Sequence, residues 1–331
     1  MRIAMFGVGR MGAFHAANLR RHLSVTELRI YDADASRAAA VAKELETVAA
    51  GTVEAALDGA EAAVIATPSG MHAELIERCL AAGLPAFTEK PLALDLAETR
   101  QVVGRVAAAK GVVQVGFQRR FDSGFRAARQ AIENGLVGRV YSFSMFSRDR
   151  LPPPETYIAT SGGIFRDLHI HDFDATRWLF GQEVLDIQAI GSNAGFPEYD
   201  QYGDAATSVL TLRLSGGTLG MISGARHNPA GYDIRVDVFG SKDSLCVGLD
   251  TRTPTRSLQP DGPAFPGPAY PDFQTRFAAA YAAELDHFLK LARGEVENPC
   301  TPADALQALR IAEAANQSMR EGRAVKLEEI T

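Results

Sequence analysis

Residues 2–12 read RIAMFGVGRMG, an apolar run from Arg2 to Phe6 followed by Gly7, Gly9 and Gly12 in the spacing GxGxxG. The pattern predicts a strand that turns at once into a helix over Met11 to Arg21. The first glycine permits the tight turn, the second lets the backbone approach a pyrophosphate, and the third lets helix pack closely on strand. Amide groups at the helix start then face phosphate charge. Glycines also serve ordinary turns, so the motif needs its context. The next predicted strand, Glu27 to Tyr31, ends at Asp32, about 20 residues past the last glycine, where an acid meets ribose hydroxyls. An acid there repels a 2′-phosphate, which favours NAD over NADP, and Arg37 a few residues on softens that preference. Gly7, Gly9, Arg10, Met11, Gly12, Asp32 and Arg37 are the expected dinucleotide contacts.

Outward from this stretch the chain alternates short strands (62–66, 85–88, 112–117) with helices (71–82, 94–108) as far as residue 120. Gly83 and Gly111 stand where helix C-caps belong. Such alternation predicts a parallel, doubly wound sheet, a Rossmann domain over residues 1–120. Beyond 120 the apolar period becomes two, in runs over 140–146, 184–190, 206–214, 218–225 and 234–239, with a hairpin signal at Ser215-Gly216-Gly217. We expect an α+β domain over 121–331 with a large, mainly antiparallel open sheet. Helices back one face, and the other is left for burial against a partner. Two loops stand out: 151–154, with three consecutive prolines, and the proline-rich 251–274, whose expected role is a lid, a subunit contact or a plain surface excursion. Helices are predicted over 277–293 and 302–321.

Ligands of doubly wound sheets bind outside the carboxyl ends of the strands. Thr67 and Pro68 follow the strand at 62–66 and His72 opens the next helix, so all three should border the cofactor. Glu89-Lys90-Pro91 ends the following strand in the same way. An ammonium at Lys90 would reach the nicotinamide end and polarise a substrate oxygen. The stretch 162–181, GGIFRDLHIHDFDATRWLFG, reads as one helix in which Asp167 and His171, four residues apart, share a face. A carboxylate beside an imidazole suits general-base chemistry. Such pairs are also common on solvated faces, and it is the dinucleotide motif that supplies the need for a base.

The 331 residues are 46% hydrophobic, enough for two domains with sizeable cores. A net charge of −6 and the lack of a basic run argue against nucleic-acid binding. The three cysteines, Cys79, Cys246 and Cys300, are scattered, suggesting no disulfide framework, no metal site and a reducing cytoplasm. No signal-like segment precedes the first strand, and no apolar stretch approaches the roughly 20 residues that span a bilayer. A metal held by His169, His171 and Asp172 is a weak rival, because His169 would point away from His171 on one helix.

GVGRMG, Thr67-Pro68 with His72, Glu89-Lys90-Pro91 and the Asp167/His171 stretch occur in an order that resembles the Gfo/Idh/MocA oxidoreductases over nearly the whole chain. GFQRRFD (116–122), SGGIFRD (161–167) and GYD (231–233) are most similar to the inositol 2-dehydrogenase group. The resemblance implies an NAD-dependent dehydrogenase, a homotetramer or homodimer, that oxidises a ring alcohol of an inositol or related polyol. It implies that Lys90, Asp167 and His171 form the catalytic set, with His171 accepting the hydroxyl proton. It implies that Arg120 (or Arg119), Asp149 and Tyr232 line the polyol pocket. The text after Gly224, ARHNPAGYDIR, and the 251–274 loop depart from the commonest inositol-enzyme pattern, which leaves the polyol open. A pyranose or other sugar dehydrogenase of the same family, or one that retains its cofactor, is the alternative. A non-catalytic NAD(H)-sensing regulator would not need Lys90, Asp167 and His171 together.

Overall fold

The computed structural model describes residues 1–250, 252 and 268–331. Most of the 251–274 stretch thus lies outside the described residues. The chain divides into two compact units, Met1–Phe121 with Ala279–Gln307, and Asp122–Ala278 with Ala308–Thr331.

In the first unit, β1 (Arg2–Phe6), α1 (Arg10–Arg21), β2 (Glu27–Tyr31), α2 (Ala35–Glu44), β3 (Val48–Ala49), α3 (Val53–Leu57), β4 (Ala62–Ile65), α4 (His72–Ala81), β5 (Ala86–Thr88), α5 (Leu96–Ala108) and β6 (Val113–Val115) follow in order. The six strands lie in the order β3-β2-β1-β4-β5-β6, every neighbouring pair parallel. The central strands show why. Ile3 to Phe6 and Ala62 to Ile65 are buried at every position, as strands covered by helices on both faces must be. The chain order reverses beside β1, so the carboxyl ends of β1 and β4 diverge and leave the crevice where such sheets bind ligands.

The second unit holds α6 (Ser123–Glu133), β7 (Val140–Arg148), α7 (Glu155–Ser161), α8 (Gly163–Asp167), α9 (Ile170–Phe180), β8 (Val184–Ser192), β9 (Thr207–Leu214), β10 (Leu219–Ala225), β11 (Asp233–Gly240), β12 (Ser244–Val247) and α10 (Phe273–Arg276). Then come α11 (Ala278–Ala292), nearly all of it in the first unit, α12 (Pro302–Glu321), divided after Gln307, and the short β13 (Val325–Lys326). The sheet runs β12-β11-β7-β10-β9-β8-β13. Its pairs are antiparallel except β7 with β10, which are parallel. Strict alternation of exposed and buried residues along β9 marks a sheet with one covered face. Gly220 and Gly224 keep the covered face of β10 low. A Cβ at Gly220 would lie 2.3 Å from the Phe143 ring, and one at Gly224 2.3 Å from Nε2 of His169. The opposite face exposes Leu185, Ile190, Val209, Leu219, Met221 and Phe239.

One expectation is corrected. The stretch 162–181 is two helices, because the chain turns at Leu168 and His169. Ile164 O accepts from the amides of both Leu168 and His169, so the regular ladder is lost there. The cause is the side chain of His169, which leaves the helix surface for the interior. Its Nδ1 meets Asp172 Oδ2 at 2.7 Å and its Nε2 meets Ser208 Oγ at 2.7 Å, while Ser147 donates to Asp172 Oδ1 at 2.7 Å. Burying His169 and Asp172 is tolerable because each is hydrogen-bonded. The network ties the start of α9 to β7 and β9. Leu168 and His169 keep right-handed α dihedrals, so the break shifts the chain without reversing it.

Candidate active site

In the first unit the turn after β1 needs its glycines. Gly7 has φ +81°, and a Cβ on Gly12 would lie 1.9 Å from Gly7 O, whereas one on Gly9 would meet nothing within 4 Å. Gly9 thus leaves open space in front of α1, whose first turn carries no acidic residue. That arrangement favours an anion. Asp32 closes the other side. Its Oδ2 accepts from Val8 N at 2.8 Å and its Oδ1 from Asp34 N at 2.9 Å, so the acid is pinned to the glycine turn. Half-exposed Arg37 reaches Asp32 and Asp34, each at 3.4 Å. The residues present fit a dinucleotide.

At the ends of the next strands, His72 is buried between two carbonyls, with Nδ1 2.7 Å from Pro91 O and Nε2 2.9 Å from Thr67 O. It joins the turn after β4 to the turn after β5. Burial lowers the pKa of its imidazole, against the pull of the two carbonyls. The Lys90–Pro91 peptide is cis. Glu89 accepts from Lys90 N at 3.3 Å and meets His15 Nε2, from α1, at 2.7 Å. Burial would raise the Glu89 carboxyl, but the His15 hydrogen bond and charge, with Lys90, outweigh it and hold the carboxyl below its usual range.

In the second unit the parallel pair sets the geometry. Arg148 and Ala225 are in register at the carboxyl ends of β7 and β10, and Asp149 N donates to Ala225 O at 2.9 Å. The next residues, Asp149 and Arg226, are therefore neighbours. Arg226 is almost wholly enclosed. Its Nη1 donates to Asp167 Oδ2 at 2.7 Å and lies 3.8 Å from Asp149 Oδ2. Burial opposes the guanidinium charge, yet Asp167, Asp149 and Asp204 more than compensate and raise its pKa. Tyr157 on α7 donates to Asp167 Oδ1 at 2.9 Å. Desolvation and the Asp167 charge push its phenol up. Asp204 Oδ1 accepts from Ile164 N at 2.7 Å, and Arg166 pairs with Glu313 of α12. The short helix that ends in Asp167 is thus held at its start, side and end. His171, partly buried, lies in the first turn of α9.

Residues 1–117 match the profile described as an oxidoreductase family with an NAD-binding Rossmann fold, and 129–327 match that family's C-terminal alpha/beta domain. The chain belongs to the Gfo/Idh/MocA oxidoreductase family. It is 38% identical to a myo-inositol dehydrogenase of Streptomyces leeuwenhoekii over 97% of this chain and 98% of that one. It is 35% identical to the scyllo-inositol 2-dehydrogenase (NAD(+)) of Bacillus subtilis over 99% and 96%. The crystal structure of Lactobacillus casei scyllo-inositol dehydrogenase with bound NAD(H) and scyllo-inositol superposes with a TM-score of 0.88 at 26% identity, covering 99% of each chain.

The other expected site residues of this family member are distributed unevenly. Arg120 donates to Pro299 O and pairs with Asp304 at 3.3 Å, and Arg119 is buried beside it. Tyr232 is buried edge-on to Phe273 and Phe277, its backbone bridged to Tyr270. Among the described residues no group of three or more His, Cys, Asp or Glu is placed to hold a metal, and no helix is long and apolar enough to cross a membrane. Sequence reasoning missed His15, Tyr157 and Arg226. Pro154 before Glu155 was an available sign of a helix start, and hence of Tyr157. Arg226 falls within the divergent text after Gly224, which does not single it out, and no local sign marks His15.

Proposed function

We propose that the chain is an NAD-dependent dehydrogenase that oxidises a ring secondary alcohol of a cyclic polyol, myo-inositol or a related inositol, to the ketone. The observation that carries this is the Asp167 carboxylate, fixed by Arg226 and Tyr157 four residues before His171, in a chain whose relatives are named inositol dehydrogenases. Gly7, Gly9, Gly12 and the first amides of α1, with Arg10 and Met11, would hold the pyrophosphate, and Asp32 the ribose hydroxyls. Thr67, Pro68, His72 and Glu89 would border the nicotinamide end. Arg37 already faces two carboxylates, which favours NAD over NADP. Bound NAD supplies the hydride acceptor. His171 takes the hydroxyl proton, Asp167 orients its ring, and Lys90 stabilises the developing alkoxide. Arg120 (or Arg119), Asp149 and Tyr232 would line the polyol pocket.

The protein acts as a homodimer or homotetramer through the exposed apolar sheet face. Its three scattered cysteines, Cys79, Cys246 and Cys300, suit a reducing cytoplasm. The test is a screen of inositol isomers and aldoses followed by NADH or NADPH absorbance. An inositol oxidised faster than any aldose, with NAD preferred, is the expected result. His171→Ala should then lower kcat by about 100-fold or more while NAD affinity holds. An unchanged kcat removes His171 from the chemistry, and a preference for an aldose replaces the substrate class.

A further inference from the structure

We propose that Arg226 is a positioning residue for proton transfer: it holds the Asp167 carboxylate ionised and aimed, so that the acid–base pair works at neutral pH. This rests on the function proposed above and deepens it.

Arg226 leaves the end of β10 and is about 3% exposed at its side chain, whereas Asp167 retains 15%. A buried guanidinium needs a carboxylate, and that partner, by the same coupling, is kept charged. Each Asp167 oxygen has its own donor, Arg226 Nη1 on Oδ2 and the Tyr157 hydroxyl on Oδ1. Two donors from different elements fix both the tilt and the rotation of the carboxylate plane. The ionisable groups facing Arg226 are Asp149 beyond β7, Asp167 at the end of α8, and Asp204 from the connection between β8 and β9. Tyr157 on α7 and Tyr199, from the connection before Asp204, face the same charges. Of these acids, Asp204 is bonded to the amides of Ile164 and Ala205, and Asp149 stands 3.8 Å from Nη1. Asp167 is the carboxylate in direct contact.

The sign of the consequence is fixed. The working form has Asp167 ionised and His171 neutral, so kcat/KM rises with pH through an acid limb. Removing a positive charge makes protonation easier at either group, which moves the limb to higher pH. Arg226→Gln should shift it upward by about one pH unit or more. Activity lost at pH 7 should return as the pH is raised, which structural damage would not allow. Arg226→Lys keeps the charge and should bring the limb back toward its wild-type position. Tyr157→Phe, a change at a half-exposed side chain, should move the limb the same way by less.

The readout independent of turnover is the carbon-13 titration of the Asp167 carboxyl, identified by its loss in Asp167→Asn. Its midpoint should rise in Arg226→Gln and in Tyr157→Phe. A limb and a carboxyl midpoint that stay in place in either soluble variant overturn the proposal, as does a loss of activity equal at every pH. Should Arg226→Gln fail to fold, Tyr157→Phe decides by the same criteria. If the wild-type protein oxidises no polyol or sugar, the functional proposal fails, while the carboxyl titration still decides the role of Arg226.

Discussion

At Glu89 two effects of opposite sign compete, and the winner fixes a pH dependence. Burial favours the neutral carboxyl, while His15 and Lys90 favour the charged form and prevail. A carboxyl whose folded pKa is depressed adds stability above the unfolded value, about 4.3 for glutamate. That contribution disappears as pH falls through the lower folded value. Urea unfolding of wild type and Glu89→Gln should therefore show the larger stability difference above pH 5, and a shrinking one toward pH 3. A difference that grows on acidification would reverse the assignment. Gly224 offers a second test at this scale. An added methyl would lie 2.3 Å from Nε2 of His169 and 2.5 Å from Cε1, and the ring is held by Asp172 and Ser208. Gly224→Ala should cost roughly 1–3 kcal/mol by overpacking, read as a lower urea midpoint with an unchanged slope. A midpoint equal to wild type would show that His169 moves freely.

Elements differ in how far the sequence discloses them. The helix at Pro302–Glu321 and the strands around β1 are legible because period and end signals are local. So is the turn that joins β1, α1 and β2, since Gly7, Gly12 and Asp32 meet within one β-α-β segment. The turn at Leu168 and His169 is not legible, because its cause is a bond from His169 to Ser208, a residue on a distant strand. Arg226 reads as one more polar residue after a strand until the fold sets it against Asp167. The β7–β10 pairing is equally hidden. Alternation along each strand tells which residues face the core, but not which neighbour a strand takes or in what direction. The short β12 and β13 carry too few residues for any period.

For the whole molecule, the sheet of the second unit is covered on one face and carries several exposed apolar residues on the other. Val209 and Met221 lie on adjacent strands of the exposed side, Met221 in register with Thr211. An exposed apolar patch of several neighbouring strands marks an association surface. Val209→Lys with Met221→Lys should reduce the particle size in sedimentation while far-UV dichroism is retained. A wild-type monomer would refute association through this face, and an assembly indifferent to both charges would place the contact elsewhere.

The parallel run of β7 and β10 also bears on the order of events in folding. Antiparallel neighbours can close a hairpin early, as β9 and β10 do across Ser215 to Thr218. A parallel pair has to wait until everything from Asp149 to Thr218 has been threaded back, and that span contains α7, α8 and α9. Asp149, Tyr157, Asp167 and His171 are all carried inside this returning segment, and Arg226 lies just after it closes. Distant contacts of this kind assemble slowly, because loop entropy is lost before any contact compensates it. Secondary structure should thus be regained before Asp149 and the Tyr157-bonded Asp167 meet Arg226, and recovery of activity on refolding should lag behind recovery of dichroism.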